Sequence, residues 1–283
     1  MLDISPEVDD LIDLALSEDR VFNDATTSAL LTDSDTAVGV IRAKTDGIVA
    51  GINVALAVFR RLDVSVGLCQ ITHDGDILSP GADIARIHGK VSTILRGERT
   101  ALNFLQRMSG IATETNKYVE AVKDFSAQIV DTRKTVPGFR YLDKYAIRAG
   151  GGRNHRMDLS DGILIKDNHI EILRHRGLGL LDVLKLAMRQ AAHTLKVEVE
   201  IANLDQLEEA LKGGAHIIML DNMSIENMAK AVCIVDGRAV LEASGGITIG
   251  NVRDVAATGV DIISIGALTH SVIAMDISLD LEP

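Results

Sequence analysis

With 283 residues, 47% of them hydrophobic, the chain can bury a large core as one big domain or as two unequal ones. A formal net charge of −11, no Trp and a 3% aromatic share exclude a broad basic nucleic-acid surface and the stacking platforms that hold single strands. The two cysteines, Cys69 and Cys233, give neither a disulfide framework nor a zinc pattern; both sit in apolar runs, and Cys233 is read as a small buried hydrophobe.

Met1-Leu2-Asp3-Ile4-Ser5 lacks the basic and long apolar regions of a secretory signal. No apolar run approaches the roughly 20 residues that span a bilayer. The expectation is a soluble cytoplasmic protein with no membrane or nucleic-acid partner.

Ser5-Pro6-Glu7 reads as a helix start, with Val8, Leu11, Ile12 and Ala15 at helical spacing. Residues 37 to 90 read as short extended runs (Val38, Val40, Ile48, Val49, Val64, Val66, Ile77, Ile84, Ile87) around a helix from about Val54 to Arg61. Asp74-Gly75 supplies a turn, and the region is expected to be α+β on a mostly antiparallel sheet. A long helix is expected from Ser92 to Met108. Beyond it the pattern becomes strand–helix alternation, with strands at Ile129-Val130, Ile163 to Ile165, Val197 to Ile201, Ile217 to Leu220, Val240-Leu241 and Ile262 to Ile265. Nearly continuous apolar strands between helices indicate a parallel sheet, and six strands with room for another favour an α/β barrel over a doubly wound sheet.

The strand ends carry the functional signal. In order they read Asp131-Thr132-Arg133-Lys134, Lys166-Asp167-Asn168-His169, Glu198-Val199-Glu200, Asp221-Asn222, Glu242-Ala243-Ser244-Gly245-Gly246 and Gly266-Ala267. Barrel active sites lie at that face. Residues 131 to 176 hold ten Lys or Arg against six Asp or Glu, a local excess of cations in an acidic chain. Such concentration suits a small, highly charged anion. Arg133 and Arg156 have the planar fork that pairs with carboxylate or phosphate. Glu200 and Asp221 on neighbouring strand tips suit magnesium, or could cap helices. Lys166 could instead form a Schiff base, as in barrel aldolases. The late glycines suit a phosphate.

The motifs Asp131-Thr132-Arg133-Lys134-Thr135, Gly150-Gly151-Gly152-x-Asn154-His155-Arg156 and Leu164-Ile165-Lys166-Asp167-Asn168-His169 closely resemble those of the quinolinate phosphoribosyltransferase family. The resemblance extends to Gly97-Glu98-Arg99-Thr100-Ala101-Leu102-Asn103, Glu198-Val199-Glu200, Met219-Leu220-Asp221-Asn222, Ser244-Gly245-Gly246 and Gly266 to His270. It covers nearly the whole chain. Asp158 departs from it, standing where the family more often has Gly.

The resemblance implies an incomplete, open α/β barrel over residues 111–270 and an N-terminal α/β sandwich over 1–110, to which the tail 271–283 returns. It implies transfer of a phosphoribosyl group from phosphoribosyl pyrophosphate to quinolinate with loss of carbon dioxide. Arg99, Arg133, His155, Arg156 and Lys166 would bind quinolinate, with Thr132 also among the substrate-binding residues and Lys134 nearer the pyrophosphate. Mg2+ would lie near Glu200 and Asp221, which could also bind the ribose. Ser244, Gly245, Gly246, Gly266 and Ala267 would hold the 5-phosphate. The basic unit would be a homodimer, with Arg99 completing the neighbouring subunit's site. Lys134, Lys166, Glu200 and Asp221 are the catalytic candidates.

Overall fold

The computed structural model describes residues 4–282, so Met1 to Asp3, and Pro283 of the tail, lie outside the described residues. Its strands are β1 (Thr36–Ala43), β2 (Gly47–Ile48), β3 (Gly67–Gln70), β4 (Ile77–Leu78), β5 (Asp83–Lys90), β6 (Gln128–Val130), β7 (Ile163–Ile165), β8 (Val197–Ile201), β9 (Ile217–Asp221), β10 (Val240–Ser244), β11 (Ile262–Ser264) and β12 (Ile277–Glu282). They fall into two compact units, one of residues 1–116, 135–151 and 268–283, the other of residues 117–134 and 152–267.

The first unit is built on an antiparallel four-stranded sheet in the order β12-β1-β5-β3, with β2 and β4 paired beside it. The C-terminal strand is held to β1 along Val38 to Ala43. Arg42 reinforces that edge, donating to Asp83 at 2.7 Å and to Glu282 at 2.6 Å. Pro6–Glu18 forms the expected first helix and buries Val8, Ile12 and Leu16. Val64 and Val66, expected to be extended, instead belong to the turn before β3, where Ser65 N–H and hydroxyl both close on Asp63.

The long helix runs from Val91 to Val122, well past the expected end at Met108. A division at 110/111 therefore cuts a continuous helix. Gly110 looks like a stop in the sequence, but its missing side chain serves packing. A Cβ there would lie 2.3 Å from the Ile273 carbonyl oxygen, so glycine lets the returning tail cross the helix. The helix Arg140–Ala149 also clusters with this unit rather than with the barrel. Its fully buried Asp143 takes a two-pronged bond from Arg107 at 3.0 and 2.8 Å, and Tyr145 donates to Asp74 at 2.6 Å.

The second unit is a six-stranded, all-parallel sheet in the order β6-β11-β10-β9-β8-β7. From β7 to β11 each new strand is laid beside the previous one, without the reversal of a doubly wound sheet. β6, the first strand of this sheet in sequence, is bonded to β11, the last of it, so the sheet curls toward closure. It stops short, because β6 and β7 are not bonded to each other, and the barrel is open. The room for another strand is taken by one residue: Arg153 makes a lone parallel bridge to Val130, with Arg153 N–H reaching the Ile129 carbonyl at 2.9 Å.

Cys233 is exposed, as is Cys69, which corrects the expectation of burial. The helix Ile225–Val235 buries Met228, Ala231 and Val235, and at 3.6 residues per turn Cys233 falls off that face. Among the described residues no helix is long and apolar enough to cross a membrane.

Candidate active site

Alternation along the parallel strands sets which side chains look into the barrel. In β8, Val197, Val199 and Ile201 are buried, and Glu198 and Glu200 share the opposite face. The same period places Met219 and Asp221 of β9, Glu242 and Ser244 of β10 and Ser264 of β11 around one cavity of about 420 Å³. Beyond the ends of β6 and β7, Thr132, Arg133, Lys134 and Lys166 join the same lining, with His155 and Arg156. Nine residues singled out in the sequence thus meet: Thr132, Arg133, Lys134, His155, Arg156, Lys166, Glu200, Asp221 and Ser244.

Asp131 organises the cationic side. It is fully buried, and its carboxylate accepts His155 N–H at 2.9 Å and Asn154 Nδ2 at 2.7 Å. The loop carrying His155 and Arg156 is thereby tied to the end of β6. Arg156 Nη1 donates to the Gly162 carbonyl at 3.2 Å, and the intervening loop is turned by Asp158, which accepts from Ser160 N–H and hydroxyl. The departure from the family pattern at Asp158 is therefore a local turn away from the cavity lining. Burial, and then the Arg133 charge, pull the Arg156 guanidinium below its ordinary value; Glu198, Asp158 and Asp161 pull the other way. Arg133 Nε is buried and has no hydrogen-bond partner among the described residues. Clustered cations with a spare buried donor are poised for an anion.

The acidic side is Glu200 and Asp221, at the ends of adjacent strands. Burial, and then the Asp221 charge, raise the Glu200 carboxyl above its ordinary value. Asp221 is steadied by Asn222 Nδ2 at 2.9 Å. Gly245, at φ 87°, makes this possible, because a Cβ there would lie 2.3 Å from Asn222 Oδ1. Gly246 follows, also left-handed, and lines a neighbouring cavity with Asn222, Ser224 and Asn251. Gly266 and Ala267 come after β11, with Ala267 opening the short helix Ala267–His270; neither lines the main cavity. Lys166 is exposed at the start of the helix Asp167–Arg174, where His169 Nδ1 accepts its backbone N–H at 3.0 Å.

Arg99 belongs to the first unit. It is exposed on the long helix and lines a cavity of about 510 Å³ with Leu11, Asn103, Phe104, Arg107 and Phe139.

Two functional candidates escaped the sequence reading. Glu198 and Glu242 are buried inside the barrel, and His155 Nε2 lies 3.2 Å from one and 3.5 Å from the other. The available signal was their spacing, two residues before Glu200 and Ser244, which puts each on the inward face. Burial, and then the charge of Glu198, push the Glu242 carboxyl up to about 7, against the pull of His155 and the Ser264 hydroxyl. Its ordinary value is 4.5, so between pH 4.5 and 7 the folded chain keeps a proton that the unfolded chain has released. Stability therefore falls across that window, by about 3 kcal/mol once pH exceeds 7. Glu242→Gln should lack this dependence. In urea unfolding it should gain a few kcal/mol on wild type between pH 4.5 and pH 8; parallel pH profiles would show that Glu242 titrates normally.

The sequence matches two family models, described as the N-terminal domain of quinolinate phosphoribosyl transferase over residues 24–109 and its C-terminal domain over 111–280. A Bacillus subtilis protein named probable nicotinate-nucleotide pyrophosphorylase (carboxylating) is 45% identical over 85% of this chain and 82% of its own. A Mycobacterium leprae protein named nicotinate-nucleotide pyrophosphorylase (carboxylating) is 41% identical over 96% of each. Among solved structures, NadC from Streptococcus pyogenes superposes with a TM-score of 0.94 at 39% identity, covering 100% of this chain and 99% of that one.

Proposed function

The chain belongs to the quinolinate phosphoribosyltransferase family, and from that membership and the charged cavity we infer that it makes nicotinate mononucleotide, pyrophosphate and carbon dioxide from quinolinate and phosphoribosyl pyrophosphate, a step of de novo NAD biosynthesis. The observation that carries this reading is the meeting of four cations, Arg133, Lys134, Arg156 and Lys166, with two carboxylates, Glu200 and Asp221, in one cavity. Quinolinate has two adjacent carboxylates. Arg133, Arg156 and Lys166 supply charge for both, with Thr132 and His155 in the same wall. Lys134 serves the pyrophosphate, and Ser244, Gly245, Gly246, Gly266 and Ala267 the 5-phosphate.

Held this way, the ring nitrogen attacks the anomeric carbon as the bond to pyrophosphate breaks. Glu200 and Asp221 face the positive charge that develops on the ribose. The positive charge of the pyridinium then stabilises the electron pair left on the adjacent ring carbon when carbon dioxide departs, and that pair takes up a proton to complete the carbon. The chain's contribution is position and electrostatics, with no covalent nucleophile. Hard oxygen donors on adjacent strand ends, one with its carboxyl raised by burial and then by the other's charge, also fit Mg2+. The ion would neutralise charge on the leaving pyrophosphate.

Two free, exposed cysteines support placement in the reducing cytoplasm. The test of the reaction is incubation with both substrates and magnesium, followed by identification of nicotinate mononucleotide and carbon dioxide. Their absence would end the assignment.

The assembly we infer is a homodimer in which Arg99 serves the partner's pocket. Arg99→Ala and Lys166→Ala should each be nearly inactive. Unfolded and refolded together, they should recover about one quarter of wild-type activity, since half the dimers are mixed and each mixed dimer has one intact site. A mixture as inactive as its parents, with mixed dimers verified, would return Arg99 to its own chain.

A further inference from the structure

Behind the anion cavity the barrel holds a group of side chains that the proposed chemistry leaves unused. Glu198 of β8 and Glu242 of β10 flank β9, and their side chains are only 6% and 1% exposed. One oxygen of each approaches the same atom, His155 Nε2, at 3.2 and 3.5 Å. The other oxygen of each, Oε1, is buried without a hydrogen-bond partner among the described residues. Two carboxylates so enclosed are costly to keep, and a fold that retains them has a use for them.

His155 is fixed from its other side as well. Its backbone N–H ends on Asp131, and its Nδ1 accepts Arg156 N–H at 2.7 Å. A ring nitrogen that accepts carries no proton, so the proton of the neutral ring sits on Nε2 and faces the two acids. This decides between two uses of the trio. By distance alone the three could hold a cation, since their ligand atoms lie within 4.8 Å of one another. A metal on Nε2 would move the proton of the neutral ring to Nδ1, where it would meet Arg156 N–H head on. The arrangement is a donor between two acceptors.

Resting on the quinolinate reading of the adjoining cavity, we propose that Glu198 and Glu242 are positioning residues which, through His155, fix the backbone from which Arg156 reaches the substrate carboxylates. His155, Arg156 and Glu242 form a wall between the main cavity and a second one of about 320 Å³. An imidazole free to turn would release Arg156 N–H and let the guanidinium drift toward the second cavity. Holding it in place beforehand spares the substrate that ordering cost.

The sign of the effect separates positioning from bare charge. Carboxylates that act only through their charge repel a dianion, and removing them lowers its KM. Positioning requires the opposite. Glu198→Met and Glu242→Met should each raise the KM for quinolinate about tenfold, leaving kcat and the KM for phosphoribosyl pyrophosphate within about threefold. Glu198→Gln and Glu242→Gln keep an acceptor oxygen and should stay within about threefold of wild type throughout. On a His155→Gln background the Met changes should add less than about twofold, because they act through the ring. A lowered KM, equal effects of Gln and Met, or full additivity with His155→Gln overturns the proposal. Should the Met variants not fold, 15N-histidine NMR of the wild-type chain decides: a proton on Nε2 of His155 is expected, and a proton on Nδ1 or a stoichiometric metal on Nε2 overturns it. A wild-type chain that leaves quinolinate unchanged sinks the functional reading first, and this inference with it.

Discussion

Nicotinate should be used on the order of a thousandfold less efficiently than quinolinate, measured as kcat/KM with phosphoribosyl pyrophosphate saturating. The two acids share a pyridine ring and differ by one carboxylate. Arg133 and Arg156 are close enough that the charge of one opposes the charge of the other, and both stand in a partly enclosed wall. A dianion relieves that repulsion and gives the buried Arg133 Nε an acceptor. A monoanion leaves part of the cluster unpaired, and unpaired buried charge costs several kcal/mol. About 4 kcal/mol is a thousandfold. Nicotinate also has no second carboxylate to lose, so the pyridinium has no carbanion to stabilise. Comparable kcat/KM for the two acids would remove the ground for assigning the cations to quinolinate.

Strand-end chemistry was the most legible part of the molecule. Strands must end near water, and with every side chain pointing alternately in and out, charged residues at the tips of β6, β7, β8 and β9 were bound to gather at one mouth. That argument needs only the period of two and the direction of the chain, both of which the sequence carries. Glu198 and Glu242 were not legible, although both lie in the strand-end segments Glu198-Val199-Glu200 and Glu242-Ala243-Ser244. Nothing local marks a buried acid; its partner, His155, comes from a loop 43 residues before Glu198 and beside a different strand. The extent of the long helix was hidden for a related reason. Gly110 has the local character of a terminator, and only the Ile273 carbonyl arriving from the far end of the chain shows why glycine is needed inside the helix. Cys233 failed differently. An unbroken apolar run says nothing of facing, and Met228, Ala231 and Val235 had already claimed the inner side.

Asp221→Ala should lower kcat/KM by at least about a hundredfold in a chain that stays folded. Asp221 is half-buried and not part of the core, and its charge opposes that of Glu200, so removing it relieves repulsion and should leave the melting temperature unchanged or slightly higher. Loss of activity without loss of stability places the residue in the chemistry. Two roles then remain, ribose recognition and a share in Mg2+, and they differ in what the variant does to the metal requirement. If Asp221 serves only the ribose hydroxyls, the variant's activity should saturate at the same magnesium concentration as wild type, with a raised KM for phosphoribosyl pyrophosphate. If Glu200 and Asp221 hold the ion together, one carboxylate is left to do the work of two, and saturation should move to about tenfold higher magnesium. Asp221→Asn sharpens the comparison, since it keeps an oxygen ligand and a partner for Asn222 while losing the charge. It should fall between wild type and Ala in the magnesium titration. Full wild-type activity in excess chelator would remove the ion from the site altogether and leave the two carboxylates to the ribose alone.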